Sequence, residues 1–273
     1  MFGLTFLSAT SKTTTHRKVP FSYGGTLLNA VAGYVAGGQD SGGYISGIDK
    51  VSFPADSKTT LSATLTTARA YASGFANSGV AGYVAGGLDS GYISGIDKVS
   101  FPADSKTTLS ATLTTARGYV AGFANSGTAG YVAGGHDGSF ISGIIKIAFP
   151  ADTLTTLSAT LTTARNAQAG FANSGVAGYA AGGYSSASIS GIDKVSFPAD
   201  TKTTLSATLT TGRQAPAGFA NSGVAGYVAG GNDGSFISGI IKIAFPADTL
   251  TTLSATLTTG RYFMAGFANS GTI

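Results

Sequence analysis

The sequence repeats itself every 48 residues, and this period decides most of what the chain can become. FPAD recurs with its ring at Phe53, Phe101, Phe149, Phe197 and Phe245, and GFANSG recurs from Gly74, Gly122, Gly170, Gly218 and Gly266. Only the first copy carries an extra residue, within Gln39-Asp40-Ser41-Gly42-Gly43-Tyr44. A fixed period of this length means one supersecondary unit stacked on itself rather than several unrelated domains. The expectation is a single domain over 1–273, with a diverged partial unit at 1–30 and five units at 31–79, 80–127, 128–175, 176–223 and 224–271.

Each unit holds four short extended segments separated by turn signals, the spacing of an all-β fold. In the best-formed copy they fall at 74–77, 82–85, 93–101 and 107–113. Asn77-Ser78-Gly79 closes the first as a tight turn, and Gly86-Gly87 stops the second. Ile96 to Phe101 alternates apolar and polar residues, and Pro102 ends that segment because it keeps its predecessor extended and opens a turn with Asp104. In the fourth, Leu109, Ala111 and Leu113 share one face and threonines fill the rest. Four antiparallel strands in 48 residues describe one blade of a β-propeller. Long helices are not expected, since the chain contains no glutamate and few lysines.

The unit resembles the kelch repeat, through Tyr83 before a strand ending in Gly86-Gly87, then Phe101, Leu113 and Arg117. Kelch repeats carry a tryptophan that is missing here, with Leu109 standing nearby. The resemblance implies a β-propeller. It implies no activity, because kelch propellers serve enzymes, adaptors and structural proteins alike. Strand counting then gives five complete blades and an incomplete sixth. The sixth is expected to be closed by residues 266–273 with residues 4–10, and Arg17 and residues 21–28 supply a diverged inner strand. Such a blade lacks its two middle strands and leaves backbone edges open to strand addition by a partner. Five blades with frayed tails, or an open spiral of blades, are the alternatives.

Copies this alike make their differences informative. One variable window follows the diglycine and contains Tyr44, Tyr92, His136, Phe140, Tyr184, Asn232 and Phe236. The other follows the arginine and contains Tyr71, Tyr119, Gln168, Gln214, Tyr262 and Phe263. These are the loops joining strands 2–3 and 4–1, which alternation of strand direction puts on one face. The reading is a recognition face of aromatic platforms and adaptable polar groups. Loop tips that drift freely are the alternative. A second pattern pairs Asp49, Asp97 and Asp193 with Lys58, Lys106 and Lys202 in three copies, whereas Ile145 and Ile241 accompany Leu154 and Leu250 in the other two. An ion pair replaced by an apolar pair is the expectation.

Arg17, Arg69, Arg117, Arg165, Arg213 and Arg261 precede the inner strands at the repeat period. They either ring the mouth of a central channel and attract an anion, or bond loop carbonyls and fix blade packing. Chemistry is otherwise sparse. Absence of cysteine excludes disulfides and thiolate sites, and two histidines, His16 and His136, are too few for a histidine-rich metal centre. No nucleophile elbow, phosphate loop or alternating calcium-ligand pattern occurs. The propeller sialidases use clustered arginines with carboxylates and the copper oxidases of this fold use cysteine; neither set is present. No catalytic residue, metal or cofactor is therefore expected.

Charged residues make up 10% of the chain and hydrophobic ones 43%, the reverse of a disordered composition. The net charge of +4 is spread singly rather than clustered, which argues against nucleic-acid binding. No apolar run is long enough for a membrane helix, and the opening MFGLTFLSAT reads poorly as a signal peptide. The expected function is a non-catalytic structural and interaction module. Its near-identical blades resemble repeats of phage virion and tail-fibre proteins and bacterial surface adhesins, implying a virion or extracellular surface, protein partners and a homo-oligomer. A carbohydrate-binding lectin or host-receptor adhesin with a glycan receptor is the competing class, and a kelch-type peptide adaptor the third.

Overall fold

The computed structural model describes residues 31–53 and 55–266. The expected sixth sector, with Arg17 and the terminal strands, lies outside the described residues. By its internal contacts the chain divides into two compact units, one of residues 1–35 with 49–60 and one of residues 36–48 with 61–273. All regular structure among the described residues is β, and the fold is a β-propeller.

Four four-stranded antiparallel blades lie in the larger unit. The second blade is Ser73–Asn77, Ala81–Ala85, Ile96–Ser100 and Ser105–Thr108, paired in that order. The third runs Ala121–Asn125, Ala129–Ala133, Gly143–Ala148, Thr153–Thr160; the fourth Ala169–Asn173, Ala177–Ala181, Ile192–Ser196, Thr201–Thr204; the fifth Ala217–Asn221, Ala225–Ala229, Gly239–Ala244, Thr249–Thr256. The first blade contributes Val31–Ala36, Ile48–Phe53 and Ser57–Thr60. Each sheet therefore crosses the repeat boundaries at 79/80, 127/128, 175/176 and 223/224, because the GFANSG strand that ends one unit is the inner strand of the next blade.

The third and fourth segments are shorter than the pattern suggests. Residues 93–95 leave the ladder because their backbone groups bond the loops instead, Ile93 N to Gly87 O at 3.0 Å and Gly86 N to Gly95 O at 3.1 Å. Leu109, Ala111 and Leu113 still alternate inward, although regular pairing of that strand stops at Thr108. In the third and fifth blades the corresponding strand continues for eight residues with a register shift at Gly143/Ile145 and Gly239/Ile241. The Phe–Pro bonds of FPAD are cis from Phe101-Pro102 to Phe245-Pro246, and the aspartates two residues on turn at positive φ.

The core lies between neighbouring sheets. Phe75 packs on the second strand of the third blade, where a Cβ on Gly130 would overlap its ring. Phe123 meets Gly178 and Phe171 meets Gly226 in the same way. Tyr83 is stacked between Phe75 and Phe149 of the next blade, at centroid distances of 5.4 and 5.0 Å. Its hydroxyl donates to Asp152 at 2.7 Å, and Lys98 joins the same carboxylate at 2.6 Å. Tyr131 and Lys146 share Asp200, and Tyr179 and Lys194 share Asp248, with the same geometry. The invariance of FPAD follows from this: its ring and its carboxylate both belong to the joint with the preceding blade. The ANSG turns join blades too, with Gly127 N donating to Asn77 Oδ1 at 2.9 Å and Ser78 N to Ser126 Oγ at 3.0 Å.

Candidate functional site

The diglycines shape the variable face. Gly86 has φ 69°, and a Cβ there would lie 2.6 Å from the Arg117 carbonyl oxygen, so only glycine fits. Beneath the turn, Arg69 Nη1 donates to Gly86 O and Gly95 O at 3.2 Å each. Arg117 and Arg213 repeat that fork on Gly134 and Gly143, and on Gly230 and Gly239. Arg165 donates instead to Ala180 O at 2.9 Å.

All four guanidinium groups are buried, at 1–3% exposure. They hold loop carbonyls and offer nothing to a channel mouth, so the anion-ring arrangement is not formed by Arg69, Arg117, Arg165 and Arg213. A buried cation needs several fixed acceptors, and the carbonyls at the loop base supply them. Arg261 is exposed, and Arg17 lies outside the described residues.

The Asp and Ile copies differ at this same joint. Arg69 pairs with Asp97 of the next blade, and Arg165 with Asp193 at 3.0 Å. Asp97 also accepts from Thr66 N, Thr66 Oγ1 and Thr108 Oγ1, at 3.0, 2.7 and 2.9 Å. Burial works to raise the Asp97 pKa, but the threonine bonds and Arg69 outweigh it and hold the carboxyl below its ordinary value. The expected lysine partners are present at the rim: Lys106 and Lys202 lie 3.4 Å from Asp97 and Asp193, and Lys58 lies 3.0 Å from Asp49 in the smaller unit. Where isoleucine replaces aspartate, the same fork is kept and the arginine Nε donates to a threonine carbonyl, Arg117 to Thr115 at 3.2 Å and Arg213 to Thr211 at 3.3 Å. Ile145 and Leu154 then join one apolar cluster. The ion pair and the apolar pair are alternative ways of filling one site. The arginine across the blade boundary, which the sequence pattern did not reveal, is the principal partner of the acid.

The two variable windows meet on one face through single β-bridges: Ala70 with Leu88, Gly118 with His136, Asn166 with Tyr184 and Gln214 with Asn232. Inside these bridges, Tyr71, Tyr119, Ala167, Ala215 and Phe263 all adopt positive φ, between 49 and 57°. They form a chain of backbone bonds from blade to blade. Tyr119 N donates to Tyr71 O, Ala167 N to Tyr119 O, Ala215 N to Ala167 O and Phe263 N to Ala215 O, at 2.7–3.0 Å. No residue type announces this arrangement, since ring-bearing side chains seldom occupy the left-handed region.

Side chains on the face form two groups of ring contacts, one around Tyr71, Tyr119, Phe263, Tyr262 and Phe236 and one from Tyr92 through His136 and Phe140 to Tyr184. Tyr71 stacks on Tyr119 at 4.2 Å, and Phe263 touches both. Burial, followed by the neighbouring hydroxyl of Tyr71, pushes the Tyr119 pKa up to about 12; Tyr92 and Tyr44 also stand close. Tyr92 donates its hydroxyl to His136 Nδ1 at 2.6 Å, and Gly138 N donates to the same nitrogen at 3.2 Å, which leaves the proton of the neutral ring on Nε2. His136 meets Phe140, and Phe140 meets Tyr184 at 5.9 Å. Phe236 stacks on Tyr262 at 5.3 Å. Gln214 and Asn232 are half-buried, and Asn232 Oδ1 accepts from Gly234 N in its own turn.

Gln168 does not belong to this surface. It is 6% exposed and its Nε2 donates to Ala133 O of the neighbouring blade at 2.7 Å, so it fills a blade joint. Among the described residues no cluster of three or more metal-ligating side chains occurs.

No family model matches the sequence, and no curated protein matches it. Among solved structures, the one titled "Structure of YjhT" superposes with a TM-score of 0.67 at 13% identity, over 83% of this chain and 84% of that one. At that identity the likeness is one of fold.

Proposed function

We propose that this chain is a non-catalytic β-propeller that recognises a partner through the face carrying the 2–3 and 4–1 loops, as part of an assembly at a virion or other extracellular surface. One observation carries the reading: the copies diverge most where the loops of that face meet. The turns at the other end of the blades repeat because they bond neighbouring blades, as Asp152 does with Tyr83. A scaffold with fixed joints and one free surface is the arrangement in which loops specialise for binding.

The test compares two sets of variants for adhesion to candidate particle or cell surfaces. One replaces the exposed Phe236 and Phe263 by serine. The other replaces the exposed Val80, Val176 and Val224 of the opposite turns by threonine, which stands naturally at Thr128. Loss of adhesion in the first set alone supports the reading, and loss in the second alone overturns it. Light scattering on the same samples reads whether the chain self-associates.

A further inference from the structure

Four aromatic rings among the described residues are exposed, and three of them are neighbours on the variable face: Phe236 at 64%, Tyr262 at 39% and Phe263 at 53%. Phe236 stacks on Tyr262, Tyr262 meets Phe263 at 4.8 Å, and Phe263 reaches Tyr71 at 5.7 Å, which stacks on Tyr119. Five rings thus make a continuous track, which ends in a three-ring cluster because Phe263 meets both Tyr71 and Tyr119. The track breaks the repeat, as a single site must. Where the fifth copy has Tyr262-Phe263, the earlier ones have Ala70-Tyr71, Gly118-Tyr119, Asn166-Ala167 and Gln214-Ala215.

The surroundings fix the chemistry of an occupant. Four of the arginines beneath the face are buried and hold carbonyls or aspartates, and Arg261, next to Tyr262 in the chain, is the exposed arginine among the described residues. The loop carboxylates bond their own turns, Asp137 accepting from Ser139 N and Asp233 from Ser235 N, each at 3.0 Å. A single-stranded nucleic acid would stack on such rings but needs a basic groove for its phosphates, which is not built here. A neutral chain of sugars needs none. The C–H faces of the sugar rings lie on aromatic faces of negative potential, while hydroxyls take bonds from tyrosine and amide groups at the edges. The backbone bonds Phe263 N to Ala215 O and Tyr119 N to Tyr71 O hold the platforms in place before binding, which lowers its entropic cost.

We propose that the track Phe236–Tyr262–Phe263–Tyr71–Tyr119 binds a neutral linear oligosaccharide, laid across the surfaces that Phe236, Tyr262 and Phe263 leave exposed, with Tyr71 and Tyr119 backing Phe263. This rests on the recognition-face reading and gives it a ligand class.

The probes are short linear oligosaccharides of glucose, galactose, mannose and N-acetylglucosamine, titrated calorimetrically into the full chain, with sulfated and sialylated glycans and oligo-dT as comparisons. The decisive variant is Y262Q/F263A, which reproduces the Gln214-Ala215 pair of the preceding copy and so keeps a sequence this fold already accommodates. At least one neutral probe binds, F263A weakens it about tenfold, and Y262Q/F263A abolishes it without lowering the melting temperature. Added salt leaves the affinity unchanged, since no ion pair is involved.

Absence of binding by every neutral probe overturns the proposal. So does binding that survives Y262Q/F263A, or binding of anionic probes alone that salt removes. If no sugar binds while Y262Q/F263A still loses surface adhesion, the glycan assignment falls and the recognition face stands.

Discussion

At the scale of single residues, the buried arginine is the most informative group. Arg117 has no carboxylate within reach of an ion pair among the described residues, yet its guanidinium is closed by Thr115, Gly134 and Gly143. Lysine cannot reproduce a planar fork across three carbonyls, so Arg117→Lys is expected to cost about 1–3 kcal/mol of stability. Chemical denaturation reads that loss, and phosphate binding measured alongside stays unchanged. The acids give a pH dependence of definite sign. Asp97 and Asp193 have folded pKa values below the unfolded one, so their contribution is present above about pH 3.9 and disappears as pH falls through the folded values. Melting temperature followed below pH 4 should drop less steeply in D97N/D193N than in the parent. Tyr119, raised to about 12 mainly by burial, works at the other end. Its contribution is whole below about pH 10 and fades as pH climbs toward 12. The tyrosinate absorbance of the folded chain therefore titrates later than that of the unfolded chain, and Y119F removes one delayed group.

At the scale of elements, the blade joint explains both what repeats and what alternates. Gly130→Ala places a methyl group in the Phe75 ring, with an expected cost of about 1–3 kcal/mol; F75L in the same chain should recover part of it, giving non-additive denaturation energies. The Asp/Ile alternation gives a sharper case. D97I alone leaves Lys106 beside an apolar group and removes the carboxylate of Arg69, a loss of about 3 kcal/mol by the rule for broken buried pairs. D97I/K106L reproduces the third blade, where Arg117 is satisfied by Thr115, and is expected to be better tolerated than D97I. Equal damage from both would show that the copies cannot exchange these pairs.

Much of the blade organisation is legible in the sequence. Strand order, the Asp–Lys proximity and the shared face of the two windows follow from a 48-residue period with turn signals at fixed offsets. The partners across the boundary were not legible. Arg69 meets Asp97 through the stacking of one blade on the next, which periodicity within a unit does not encode. Gln168 sits in a variable window and looks like a surface group, but its side chain follows the inner strand into the joint. Tyr71 and Tyr119 at positive φ carry no sequence mark at all, because the conformation is imposed by the backbone chain that links successive loops.

At the scale of the whole molecule, joints that hold the blades together are set apart from a face that varies. Replacing the variable windows of the third, fourth and fifth copies by those of the second, with the joint residue Gln168 retained, would homogenise the face while leaving the joints in place. Adhesion of this chain and of its parent to the surface that the parent binds is the measurement that tests the division most directly, with calorimetric melting as the control for folding. The account predicts a parent-like melting temperature and no adhesion. A homogenised chain that melts like the parent and still adheres would contradict it.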